Sequence, residues 1–97
     1  MYVGIGVLEL GLPHVHDLKS KRRVVRSLVE RLHARHRISA AETGAHDSWQ
    51  HAVVGVALVA ASEAEAQRLL DVVLELADAE TESYVMNWSP QILEEAP

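Results

Sequence analysis

Hydrophobic periodicity along the 97 residues switches between a two-residue and a 3.6-residue repeat. The order is strand, helix, strand, strand, helix, strand. It predicts an α+β fold, the ferredoxin-like βαββαβ sandwich, with a four-stranded antiparallel sheet carrying two helices on one face. Two further observations agree. The length suits a single domain over residues 1–97 with one hydrophobic core. The absence of cysteine excludes a disulfide scaffold, a thiolate metal site and a cysteine nucleophile.

Residues 2–12 read as the first strand. Val3, Ile5 and Val7 alternate against Tyr2, Leu8, Leu10 and Leu12, with Gly4 and Gly6 on the second face. Both faces are partly apolar, as in a strand covered on both sides. Pro13 to Asp17 breaks the pattern as a loop. Residues 18–36 read as an amphipathic helix, with Val24, Val25, Leu28, Val29 and Leu32 on one stripe and Asp17 as N-cap. Residues 38–43 form a short second strand, and Thr43 to Trp49 a turn marked by Gly44 and Asp47-Ser48. Residues 50–60, with Val53, Val54, Val56, Leu58 and Val59 around Gly55, form the third strand. Ser62 opens the second helix, and Glu65 sits at capping-box spacing from it. Leu69, Leu70, Val73, Leu76 and Ala77 are its buried stripe; Asp71, Glu75 and Asp78 make its outer face acidic. The last strand spans residues 82–89, with Tyr84, Met86 and Trp88 on one face; Pro90 stops it, and the tail after Leu93 frays.

This order places the turn at residues 43–49, the loop at 13–17 and the start of the first helix at one end of the sheet. His14, His16, Asp17, Lys19, Lys21, Arg22, His46, Asp47 and Trp49 should therefore converge on one rim. The sheet face away from the helices remains apolar, and a second copy of the chain is its simplest cover, so a homo-oligomer is expected.

Charge is segregated. The net charge is −5, from 9 basic and 14 acidic residues, yet eight of the nine basic residues fall between Lys19 and Arg37. That stretch carries +7, opposed within it only by Glu30, and the rest carries −12. Lys19, Lys21, Arg22 and Arg23 occupy the first turns of the helix, where the macrodipole already places positive charge. An arrangement with a local cost points to an anion, because free N–H groups and cationic side chains aim the same way. The candidate anion- or RNA-binding residues are Lys19, Lys21, Arg22, Arg23 and Arg26, with Trp49. The structural alternative is a helix start neutralised by Asp17, Asp47 or the acids of a neighbouring subunit.

Other candidates are weaker. His14 and His16 have the spacing of two metal ligands, with His46 or Asp47 as a third. The cations nearby oppose a divalent ion, so they read as solvated loop histidines and no metal or cofactor is expected. Trp49 either stacks on a base or covers the edge of the core, and the burial habit of tryptophan favours the second. Glu9, Glu42 and Asp47 have no evident carboxylate partner, Ser20, Ser39 and Ser48 lack a nucleophile elbow, and there is no Gly-rich phosphate loop. Nothing in this set assembles an enzyme. No apolar run approaches the roughly 20 residues of a membrane span. The N-terminus lacks the pattern of a secretory signal, so the expected compartment is the cytoplasm.

The segment Leu18-Lys19-Ser20-Lys21-Arg22-Arg23 resembles the Leu-Lys-x-Lys-Arg signature of the YlxP-like family of small bacterial proteins. Ser39-Ala40-Ala41-Glu42 is similar to that family's second-strand motif, and Asp47-Ser48-Trp49-Gln50 with Gly55 to its Asp-x-Trp-Gln segment and following glycine. The resemblance runs from Val3 to about Ile92. One departure is Asp17, where the family usually has serine; both cap helices, but the aspartate's charge offsets part of an anion site. The resemblance implies a ferredoxin-like fold and no established activity. It also implies a setting near RNA or the ribosome, because genes of the family often lie beside those of translation-initiation and ribosome-maturation factors. The expected function is thus a non-enzymatic binding module for structured RNA or a ribosomal surface, acting through the basic face of the first helix. The alternative is a homo-oligomeric regulatory domain that binds a small anionic ligand.

Overall fold

The computed structural model describes residues 1–96. Its elements follow the expected order: β1 (Tyr2–Gly11), α1 (Leu18–His36), β2 (Ser39–Gly44), β3 (His51–Ala60), α2 (Glu63–Ala79) and β4 (Tyr84–Glu94). The strands form one sheet in the order β2-β3-β1-β4, and every neighbouring pair is antiparallel. This is the ferredoxin-like sandwich.

One core lies between sheet and helices. Leu8, Leu10, Val54, Val56 and Leu58 supply it from the sheet, Val24, Val25, Leu28 and Leu32 from α1, and Ala66, Leu70, Val73 and Ala77 from α2. Each helix starts on a side-chain cap: Asp17 accepts from Ser20 N–H, and Ser62 accepts from Glu65 N–H. The Glu65 carboxylate does not complete a capping box. It pairs with Arg68 instead, at 2.7 and 3.0 Å. Alpha-helix α1 ends where Arg37 takes the left-handed conformation and donates its N–H to His33 O.

The last strand departs from expectation twice. Pro90 does not stop it: the strand continues to Glu94, with Pro90 opposite Gly6. Because β4 is at the sheet's edge, a residue without N–H can turn its nitrogen away from the ladder at no cost. Pairing also holds beyond Leu93, where fraying was expected. Tyr2 lies opposite Glu94, and Glu95 N–H donates to Met1 O at 2.8 Å.

The second departure is a β-bulge. Glu9 pairs with Asn87 but Leu10 pairs with Val85, so Met86 is the extra residue. Tyr84, Met86 and Trp88 therefore do not share a face. Tyr84 and Met86 are exposed, while Val85 and Trp88 pack against the core. The Trp88 indole lies over Gly6, where any side chain would collide with it.

Candidate anion-binding surface

The topology brings the loop at residues 13–17, the start of α1 and the β2–β3 turn to one end of the sheet, and hydrogen bonds bind them together. Leu12 N–H donates to Gln50 O at 2.9 Å. The Gln50 side-chain amide donates to Pro13 O and Val15 O at 3.2 and 3.3 Å. His16, Asp47, Ser48, Trp49 and Gln50 line one open depression there.

Lys21 is the exception among the candidate cations, and it corrects the sequence reading. Its side chain is fully buried and unavailable to a phosphate. The ammonium donates to Ala45 O at 2.8 Å and to His46 O and His51 O at 3.3 Å each, which uses its three N–H donors. The Glu42 carboxylate, 3.0 Å away, supplies the opposite charge. Lys21 thus fastens the β2–β3 turn to α1 and pairs with Glu42 rather than Asp17. The signal was present in the sequence. Residues 21, 24, 25, 28 and 32 fall on one helical stripe, so Lys21 occupies a core position.

The other cations of α1 face outward. Lys19, Arg22, Arg23 and Arg26 are exposed and, with Ser20, line one open depression along the first turns of the helix. The first turn contains no acid. Lys19, Arg22 and Arg26 form no salt bridge among the described residues. Arg23 lies 3.5 Å from Glu82, with both side chains largely in solvent, and such a pair is weak. Arg31 is more firmly held, 3.2 Å from a half-buried Glu80. Among the outward cations the ion pairs come from the chain's own α2–β4 segment, and they leave Lys19, Arg22 and Arg26 without a salt bridge among the described residues.

Asp17 is the local counterweight. The Ser20 N–H, 2.6 Å from its carboxylate, and then the Ser20 hydroxyl hold its pKa below the ordinary carboxylate value. Its charge is directed at the helix cap. Trp49 does not cover the core edge, as tryptophan's habits suggested: it is 53% exposed, with an aromatic face open to solvent beside His16. His14 and His16 are exposed. No cluster of three or more His, Cys, Asp or Glu with metal-binding geometry occurs among the described residues. No helix among the described residues is long and apolar enough to cross a membrane.

Comparisons with known proteins give a family and a structure of like fold. A family model described as "Protein of unknown function (DUF503)" matches residues 3–89. The chain belongs to that family. Among its relatives is the "Uncharacterized protein YlxP" of Bacillus subtilis (strain 168), 29% identical over 77 residues, covering 79% of this chain and 84% of that protein. A de novo designed protein with a ferredoxin fold, solved by solution NMR, superposes with a TM-score of 0.52 at 11% identity, over 100% of this chain and 88% of that one. That likeness concerns the fold alone. The segments read as family motifs have structural roles in this chain. Lys21 and Glu42 form the buried pair, and Gln50 joins the two loops.

Proposed function

We propose that this protein is a non-enzymatic binding module that associates with structured RNA or a ribosomal surface through the outer face of α1. The observation that carries the reading is the alignment of Lys19, Arg22, Arg23 and Arg26 along one open surface of α1, a helix whose first turn contains no acid. A helix N-terminus disfavours cations, yet Lys19 stands in the first turn of α1 with Arg22 and Arg23 in the next, and an anion that they meet accounts for that placement. Trp49, exposed at the same end of the molecule, offers a stacking face. Contacts of this kind read backbone and shape rather than base edges. The test is filter binding to ribosomal subunits and total RNA, comparing the wild type with Lys19→Ala/Arg22→Ala/Arg23→Ala. Saturable binding lost in the folded triple variant supports the reading. Equal binding by both proteins, or none by either, refutes it.

A second reading has its own observation. On the sheet face away from the helices, Ile5, Val7, Val59 and Leu93 are exposed, Val59 at 66% and Val7 at 45%. A homo-oligomer that covers this face and holds a small anionic ligand would account for the apolar exposure.

A further inference from the structure

β2 is an edge strand, and its outward polar groups are only half occupied. Ala40 N–H donates to His33 Nε2 at 2.9 Å, so the polar groups of Ala40 point away from β3. By the alternation of an antiparallel ladder, those of Glu42 point the same way, and the Glu42 carbonyl accepts from His46 Nε2 at 3.2 Å. The Ala40 carbonyl and the Glu42 N–H remain, and neither has a hydrogen-bond partner among the described residues.

Which groups are left decides what can pair. An added antiparallel strand takes the N–H and C=O of one and the same residue. At Ala40 the donor is occupied and at Glu42 the acceptor is occupied, so the two histidines guard the edge against that mode. A parallel strand requires the C=O of one residue and the N–H of the residue two further on. Those are the two groups left free.

The edge also has a groove beside it. Arg22, Val25, Arg26 and Val29 of α1 face Ala40 and Glu42 across an open channel. Val25 is buried and Val29 half-buried, giving an apolar floor. Arg22 and Arg26 flank it without salt-bridge partners among the described residues, while the Glu42 carboxylate is committed to Lys21.

We propose that this edge accepts an extended acidic segment of another protein as a fifth, parallel strand seated between β2 and α1. Main-chain bonds to Ala40 and Glu42 fix the segment, and the arginines select its charge. The residue opposite Ala41 points its side chain to the sheet's open face. The residue before it lies beside Ala40 over the apolar floor, and the residue after it lies beside Glu42 toward Arg22. The segment therefore reads apolar, any, acidic. This surface shares Arg22 and Arg26 with the proposed RNA contact and differs from it in kind, because it adds the backbone groups of β2 and the apolar floor beside them.

The test is amide-resolved NMR of the full chain titrated with the capped peptide Ser-Glu-Val-Thr-Glu-Thr-Ser. The expected result is saturable displacement of the Glu42 amide signal, with Val29 and Arg26 following. N-methylation of the residue after valine abolishes it, and N-methylation of the next residue does not. A spin label at the peptide's N-terminus broadens signals near Ser39 rather than Gly44. Arg22→Glu/Arg26→Glu weakens the affinity by about tenfold or more. No displacement at Glu42, indifference to the first N-methyl group, broadening at Gly44, or equal binding of a peptide with lysines for glutamates would each overturn the proposal.

Discussion

Lys21 and Lys19 are two residues apart on one helix and do opposite work. Lys19 is exposed, whereas Lys21 is sealed beneath the β2–β3 turn on three carbonyls and the Glu42 carboxylate. Removing one partner of such a pair leaves the other charge and the carbonyls stranded. Lys21→Met should therefore lower unfolding free energy by about 3 kcal/mol in denaturant titrations. Lys21→Arg should not restore it, because a planar guanidinium cannot reproduce the compact ammonium's contacts. Lys19→Ala should change stability by no more than about 0.5 kcal/mol. Asp17 gives a pH signature. Its folded pKa lies below the ordinary value, so its contribution is complete above the ordinary carboxylate range and is lost as pH falls through the lowered value. Asp17→Asn, which retains an acceptor for the cap, should flatten that part of the acid limb in thermal unfolding. An unchanged acid limb would contradict the assignment.

At the scale of elements, the helices and β3 are legible in the sequence because their periodicity is unambiguous and their caps are explicit. β4 is less so. Pro90 is a strong stop signal in isolation, and only the strand's position at the edge, a tertiary fact, makes it harmless. The Met86 bulge likewise rearranges which aromatic faces the core, and alternation alone cannot register an extra residue. The outward cations of α1 are legible as a charged face, but the burial of Lys21 is not, because its charge masks its position on the apolar stripe. The exposure of Trp49 is illegible for the converse reason, since a residue type's average burial says little about a turn held by its neighbours. The packing of Trp88 on Gly6 makes its own prediction. Gly6→Ala should cost about 1–3 kcal/mol through overpacking, and Gly6→Ala/Trp88→Leu should recover part of that loss in denaturant titrations.

The whole molecule has three dissimilar surfaces: a basic helix face, an acidic second helix and an apolar sheet face. The acids that pair with the outward cations of α1 belong to the same chain, Glu80 on Arg31 and Glu82 on Arg23, and they leave Lys19, Arg22 and Arg26 without a salt bridge among the described residues. On the sheet face, Val7→Lys places a charge beside Ile5, on the face that also carries Val59 and Leu93. If copies of the chain meet there, this variant should shift the mass measured by light scattering toward the monomer. An unchanged mass would remove that face from any assembly. The central claim, that the outer cations of α1 meet phosphates while the buried lysine holds the fold, is tested most directly by the salt dependence of RNA affinity. The slope of log affinity against log salt should be negative in the wild type. It should become shallower by about 2 to 3 in Lys19→Ala/Arg22→Ala/Arg23→Ala, as three lost phosphate contacts require. An affinity independent of salt, or an identical slope in the folded triple variant, would contradict the account.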